Sequence, residues 1–274
     1  SATHLLPARC GLSRHCWLAG SVVYCHYLPM EFGVVTYGVI GGSFLLAGFV
    51  KGVVGLGLPT ISLALLTALL DLPTAMALLV VPAFCTNIWQ GFAGGHLVVL
   101  LRRLWPLLLA VIPFVWAGAA LSGLFETTNL TRVLGGILVL YAAVSFRSKP
   151  FIIPHRLHAW LGPLCGAING VLTGLTGSLF LPGVIYLQAI GLPRDQLVQA
   201  MGLLFALSTA ALGISLQDAG RIESGLWQIS GFALLPAVVG MQCGKFCRGY
   251  FSDDLFRRIF LSGLASLGLY IMLG

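Results

Sequence analysis

The sequence predicts an all-α, polytopic membrane protein with two internal repeats. Hydrophobic residues make up 58% and charged residues 8% of the 274 positions, and the mean hydropathy is +0.97. A soluble chain of this length would need more charged residues to cover its surface. Most of its charge-free runs approach or exceed the ~18–20 residues that a membrane helix needs. These runs are 33–50, 52–70, 72–95, 104–125, 160–193, 196–217, 224–244 and 259–274.

One glycine pattern occurs twice and indicates the repeat. Residues 48–55 and 170–177 both read G-x-x-x-G-x-x-G, and each lies in an apolar run that a proline closes, at Pro59 and Pro182. Glycine-interrupted hydrophobic segments at matching places in two halves are typical of a transporter's binding site. The alternative interpretation is close helix packing, which glycines four residues apart also permit.

The repeat extends beyond the glycines and divides the chain. Leu-Pro at 72–73 recurs at 192–193, and Pro113 corresponds to Pro236. We therefore divide the sequence into four parts, which are an N-terminal tail at 1–32, membrane repeat 1 at 33–146, a cytoplasmic linker at 147–157 and membrane repeat 2 at 158–274.

The basic residues predict the orientation of the spans. They form three clusters, which the positive-inside rule assigns to the cytoplasm. If all three are cytoplasmic, each half has five segments, the halves are inverted, and both termini lie outside. The alternative is eight spans with parallel halves, so we expect 8–10 transmembrane segments with broken, glycine-rich helices. The clusters are Arg102/Arg103, then Arg147/Lys149/Arg156, and Lys245/Arg248/Arg257/Arg258.

The tail at 1–32 differs in composition from the rest of the chain. It holds three of the seven cysteines and several histidines, but their spacing does not match a zinc site. It also lacks the layout of a signal peptide. We expect a disordered or interfacial tail that is not all native, with Met30 as the natural start.

Two segments carry a resemblance to a known family. They read Ala47-Gly-Phe-Val-Lys-Gly-Val-Val-Gly-Leu-Gly-Leu-Pro59 and Asn169-Gly-Val-Leu-Thr-Gly-Leu-Thr-Gly-Ser-Leu-Phe-Leu-Pro182. With such a run in each repeat, the chain resembles the TauE/SafE family of sulfite exporters and toluenesulfonate-uptake permeases. The resemblance implies a secondary carrier for sulfite, sulfoacetate, sulfonates or other small anions. The sequence departs from the family pattern at Leu58 and Leu179, where small residues are usual, and at Lys51.

The distribution of charged residues favours an anionic substrate independently of the family resemblance. Asp71 is the only acidic residue between Glu31 and Glu126, so the first repeat offers no carboxylate for a cation inside a span. Broken helices instead offer N-terminal amides with a positive dipole end, which suit an anion. The predicted substrate-binding residues are Gly48, Lys51, Gly52, Gly55, Gly57, Asn87, Gln90, Asn169, Gly170, Thr173, Gly174, Thr176, Gly177 and Ser178.

Several of these polar residues have a structural alternative. Lys51 follows a long uncharged run and could extend to the membrane interface instead. Asn87 and Gln90 share one helical face, where they either line a cavity or bond to another helix, and Ser208/Thr209 occupy the related place in repeat 2. His96 is either a pH-sensitive group or an interfacial residue.

The sequence thus predicts a secondary transporter that works by alternating access, driven by a proton gradient or the membrane potential. The alternative is a non-transporting membrane subunit or assembly factor. Motifs of hydrolases and nucleotide-binding enzymes are missing, so we expect no enzyme, cofactor or metal site. The net charge of +7 lies in loops, which indicates contact with lipid headgroups rather than nucleic acid. The expected location is the bacterial inner membrane, with a homo-oligomer as one alternative.

Overall fold

The computed structural model describes residues 33–146, 152–222, 224–250 and 252–274, together with the backbone of three strands near the N-terminus. The strands β1 (Ala8–Cys10), β2 (Arg14–Ala19) and β3 (Val22–Tyr27) pair antiparallel in that order. They belong to one compact unit, 1–37, and residues 38–274 form another. The expectations for Met30 and for the cysteine and histidine side chains of the tail lie outside the described residues.

The rest of the described chain is helical. Seven of its helices are long and apolar enough to cross a membrane, so the prediction of a polytopic helical membrane protein is confirmed. The number of true crossings stays a prediction. The helices in the described residues are α1 (Val34–Val54), α2 (Leu58–Leu69), α3 (Leu72–Phe92), α4 (Leu97–Ser122), α5 (Thr127–Phe146), α6 (His158–Thr176), α7 (Gly183–Ala189), α8 (Arg194–Asp218), α9 (Ser224–Cys247) and α10 (Asp253–Leu273).

The third glycine of each pattern ends a helix. Gly55 follows α1 with φ of +85°, and Gly177 follows α6 with φ of +72°. These left-handed conformations are open to glycine at little steric cost, and a glycine there is a common helix terminator. A proline then stands at the start of the short helix that follows, Pro59 in α2 and Pro182 before α7. We call the glycine-rich segments that contain these two turns the first break (48–59) and the second break (169–182).

Two pairs of helices run parallel in close contact. A Cβ at Gly48 would overlap the carbonyl oxygen of Ala237, and four residues on, a Cβ at Gly52 would overlap that of Met241. Since both contacts advance in the same direction, α1 and α9 are parallel. The carbonyls of Leu107, Val111 and Val115 face successive α6 glycines, Gly166, Gly170 and Gly174, so α4 and α6 are also parallel.

Two further pairs run antiparallel. A Cβ on Gly213 of α8 would lie 2.8 Å from Val80 Cγ1 of α3, while one on Gly202 would lie 2.5 Å from the backbone nitrogen of Gly91. The numbers rise along α3 as they fall along α8, so these helices are antiparallel. The same argument applies to α5 and α10, which meet at Gly135/Gly268 and, further along α5, at Ser145/Arg257.

Described residues of the basic clusters lie at one end of the helical bundle. Arg103 donates to the carbonyl oxygen of Ile190 (3.0 Å), and the adjacent Ala189 accepts from the backbone N–H of Ile153 in the linker region (2.9 Å). At the end of α5, Ser145 O accepts from Arg257 at the start of α10.

The opposite end of the bundle holds the α4–α5 turn and the α8–α9 turn. There Arg221 of the α8–α9 turn donates to Ser122 Oγ at the end of α4 (2.6 Å). We call the two ends the basic end and the opposite end.

Candidate functional site

Lys51 is the charged side chain buried inside the described helices. It lies in the last turn of α1 with 5% of its surface exposed. Its ammonium donates to Thr86 Oγ1 (3.1 Å) and to Asn87 Oδ1, both on α3. A lysine that extended to the membrane interface would keep its ammonium in water. The burial and the two internal partners therefore favour the site interpretation of Lys51 over the interfacial one.

One of these partners, Thr86, belongs to a set of hydrogen bonds around Pro82 in α3. Pro82 has no N–H, so the carbonyl of Leu78, four residues earlier, lacks its helical donor. Ser230 of α9 donates to this Leu78 carbonyl (2.8 Å), and its oxygen accepts from the Val81 N–H (3.2 Å). Thr86 donates its own proton to Pro82 O (2.7 Å), which leaves its oxygen as an acceptor for Lys51.

Spare hydrogen-bond donors remain beside the charge. An ammonium has three N–H groups, and Lys51 uses two of them on side chains that are both neutral. Asn87 is fully buried, and its Nδ2 has no partner. Because Nδ2 and Oδ1 belong to the same carboxamide, this free donor lies next to the Lys51 ammonium. A cation with neutral partners and a free amide donor can bind an anion through charge-assisted hydrogen bonds.

The polar residues of the second break bond mainly to one another. Asn169 Oδ1 accepts from the Gly183 N–H (3.3 Å), and Thr173 Oγ1 lies 2.7 Å from Asn169 O and 2.8 Å from Ser178 O. Thr176 donates to Leu172 O in its own helix (2.9 Å). Two buried atoms stay unpartnered, Asn169 Nδ2 and Ser178 Oγ. The second break therefore offers neutral hydrogen-bonding groups but no charge.

Polar residues lie on the facing surfaces of α3 and α8. Asn87 lies seven residues after Val80 and four before Gly91, so it shares the face of α3 that contacts α8. By the same spacing Thr209 shares the facing surface of α8. Thr209 donates to Phe205 O (2.6 Å), whereas its neighbour Ser208 is fully buried with an unpartnered hydroxyl. Ser208 is thus a buried polar group without a described hydrogen bond.

Gln90 joins two helices and does not reach Lys51's partners through any described bond. It donates to Val198 O of α8 (2.8 Å). In return Gln199 of α8 donates to Gly91 O (2.8 Å) and accepts from the backbone N–H of His96 (3.0 Å). For Gln90 the interhelix alternative is therefore favoured, and the exposed His96 contributes its backbone to the same contact. The sequence analysis did not single out Gln199, which lies within the charge-free run 196–217.

The predicted glycines separate into two groups. Gly48, Gly52, Gly170 and Gly174 each press against the backbone of α9 or α4, which occupies the space that a substrate would need. For these four the structure favours the packing alternative. The other three, Gly55, Gly57 and Gly177, have positive φ and form the breaks.

A bundle of spanning-length helices interrupted at two buried breaks defines a multi-pass integral membrane protein. The model of the family described as Sulfite exporter TauE/SafE matches residues 40–271. The chain belongs to this family of membrane transporters, and the plasma membrane of a bacterium is the location that the family indicates. No curated protein and no solved structure matches the chain.

Proposed function

We propose that the chain is a secondary transporter that carries sulfite, or another small sulfur-containing or organic anion such as a sulfonate, by alternating access. The observation that carries this proposal is the buried ammonium of Lys51 with two neutral partners and a free Asn87 amide beside it. A buried charge is costly unless it is paired, and an anion would pair it. The second break adds neutral hydrogen-bonding groups, of which Asn169 Nδ2 and Ser178 Oγ are buried and unpartnered.

The helix contacts support two inverted halves. An offset of 122 residues carries Val80 onto Gly202 and Gly91 onto Gly213. The contact of Val80 with Gly213 therefore corresponds to that of Gly202 with Gly91, and both are present. The α1–α9 pair corresponds in the same way to the α6–α4 pair. The corresponding helices α3 and α8 run in opposite directions. This supports two halves of inverted topology, as in many carriers.

The distribution of charge supports an orientation for this arrangement. Described residues of the three basic clusters lie at the basic end, and by the positive-inside rule that end faces the cytoplasm. The start of α1 and the end of α10 would then lie outside. Lys51 sits in the last turn of α1, whose parallel partner α9 ends at the same basic end.

Uptake of radiolabelled sulfite into proteoliposomes tests the proposal. Lys51→Met keeps the apolar stem but removes the ammonium, so the half-saturation concentration should rise at least about tenfold, which is about 1.4 kcal/mol of binding energy. Lys51→Arg keeps the charge with another shape and should retain part of the affinity. Arg132→Met is the control, because this exposed arginine of α5 lies outside the Thr86/Asn87 contact, and it should bind sulfite as the wild type does.

Two results would contradict the proposal. Unchanged half-saturation in Lys51→Met would remove Lys51 from the site. If the wild type carries neither sulfite nor sulfonates above the leak of protein-free liposomes, the non-transporting subunit becomes the better interpretation.

A further inference from the structure

Among the described residues, Lys51 has two hydrogen-bond partners and no acidic partner. Its hydrogen-bond partners on α3 are neutral, and α2 and α3 contain no charged residue at all. The charged side chain that acts on it from α9 is Lys245, which is also positive. The backbone of Lys245 lies beside Gly52, where an added Cβ would be 2.9 Å from its nitrogen. With Lys51 protonated, the site without a ligand therefore carries a net positive charge.

Alternating access requires an intermediate in which the site is closed to both sides of the membrane. When the site opens to water, hydration stabilises the Lys51 ammonium. When it closes without an anion, the ammonium remains with two neutral partners in a medium of low dielectric constant, which is unfavourable. When it closes around a singly charged anion, the two charges cancel, and the free Asn87 amide gains an acceptor.

We propose that the chain is an obligatory anion exchanger, in which the transporter reorients with a bound anion and is held back when empty. This inference rests on the proposed function and adds the mode and the charge stoichiometry of transport. One ammonium neutralises one negative charge, so the preferred form is a monovalent oxyanion such as hydrogen sulfite or an organic sulfonate. A second anion on the far side must bind before the empty site can return.

The inference predicts trans-stimulation, which a simple uniporter would not require. Proteoliposomes are loaded with radiolabelled sulfite and diluted into buffer that contains either unlabelled sulfite or gluconate, a large anion. With wild-type protein, efflux should be at least tenfold faster into sulfite. Because exchange of one monovalent anion for another moves no net charge, a potassium diffusion potential set with valinomycin should leave this rate unchanged.

Two variants distinguish a specific effect of Lys51 from a general loss of folded, active protein. In Lys51→Met the closed empty site carries no charge, so the residual efflux should be equal into sulfite and into gluconate. Arg132→Met removes an exposed charge on α5, outside the Lys51 contacts, and its trans-stimulation should match that of the wild type. Protein-free liposomes give the background of passive sulfite leak.

Three results would overturn the inference. Equal wild-type efflux into gluconate and sulfite, above the leak, would show net transport and leave the proposed function in place. Net efflux accompanied by proton movement, recorded with an internal pH dye, would show that Lys51 loses its proton when the site empties. Absence of efflux above the leak in both buffers would contradict the proposed function itself.

Discussion

The two breaks share a backbone design but differ in chemistry. In both, the first two glycines press against the backbone of a helix from the other half, and the third glycine ends the helix with positive φ. The fourth residue of the glycine pattern is Lys51 in the first break and Thr173 in the second. The lysine extends across to α3, whereas the threonine bonds to Asn169 O and Ser178 O in its own segment.

This difference separates what the glycines do from what their neighbours do. The glycines determine how closely helices approach and where α1 and α6 end, and these tasks are the same in both halves. The intervening residues determine which groups reach the centre of the bundle. In this chain the fourth residue of the pattern is a lysine in one half and a neutral threonine in the other.

The largest expected effect concerns the shared glycine packing. In Gly48→Ala and Gly174→Ala the new methyl groups would overlap the carbonyl oxygens of Ala237 and Val115. Overpacking typically costs about 1–3 kcal/mol, and backbone carbonyls cannot rotate away as side chains do. Both variants should therefore lose most of the monodisperse, folded protein in detergent, as measured by fluorescence-detected size exclusion and thermal unfolding.

A glycine on the same helix provides the control. A Cβ at Gly41 of α1 would meet nothing within 4 Å, so Gly41→Ala should be as stable as the wild type. If Gly48→Ala were fully stable and yet failed to transport, the glycine would have a direct part in substrate binding. Helix packing could then no longer be assigned to the glycines alone and substrate binding to the residues between them.

The next effect tests the charge of the first break. Asn87→Asp places a carboxylate where the amide now accepts from Lys51, so the two side chains should form a buried ion pair. The pair would neutralise the ammonium and remove the free Nδ2 donor, and sulfite affinity should fall at least about tenfold, or 1.4 kcal/mol. Asn87→Gln keeps a neutral amide and is the control for the change of side chain. Wild-type affinity in Asn87→Asp would mean that the anion does not bind at Lys51.

Much of the fold follows from the sequence, because its signals are local. Apolar runs of spanning length predict helices in a membrane, and a proline soon after a glycine marks each break, as Pro59 and Pro182 do. The candidate site was predicted in part. Lys51 and Asn87 were chosen as isolated polar residues in apolar spans, and they contact each other across 36 positions.

The rest could not be read from the sequence because it depends on contacts between distant helices. Gly48 and Gly55 look alike in the pattern, yet one packs against α9 and the other ends α1. Ser230 is one of many serines, and its importance depends on Pro82, which lies 148 positions earlier and leaves Leu78 O without a helical donor. Periodicity identifies a polar residue in a span but does not identify its partner.

The smallest effect concerns the second break, where no charge is at stake. Thr173→Val keeps the shape of the side chain but removes the hydroxyl that lies 2.7 Å from Asn169 O and 2.8 Å from Ser178 O. Asn169 O keeps its helical donor, so the main loss is the bond to Ser178 O, worth about 1 kcal/mol. We expect slightly lower thermal stability and at most about a fivefold rise in the half-saturation for sulfite, because about 1 kcal/mol corresponds to about a fivefold change. Thr173→Ser retains the hydroxyl and should behave as the wild type in the same uptake assay. If Thr173→Val weakened binding as strongly as Asn87→Asp, the second break would bind the anion as directly as the first, and the division between a charged and a neutral half would be wrong.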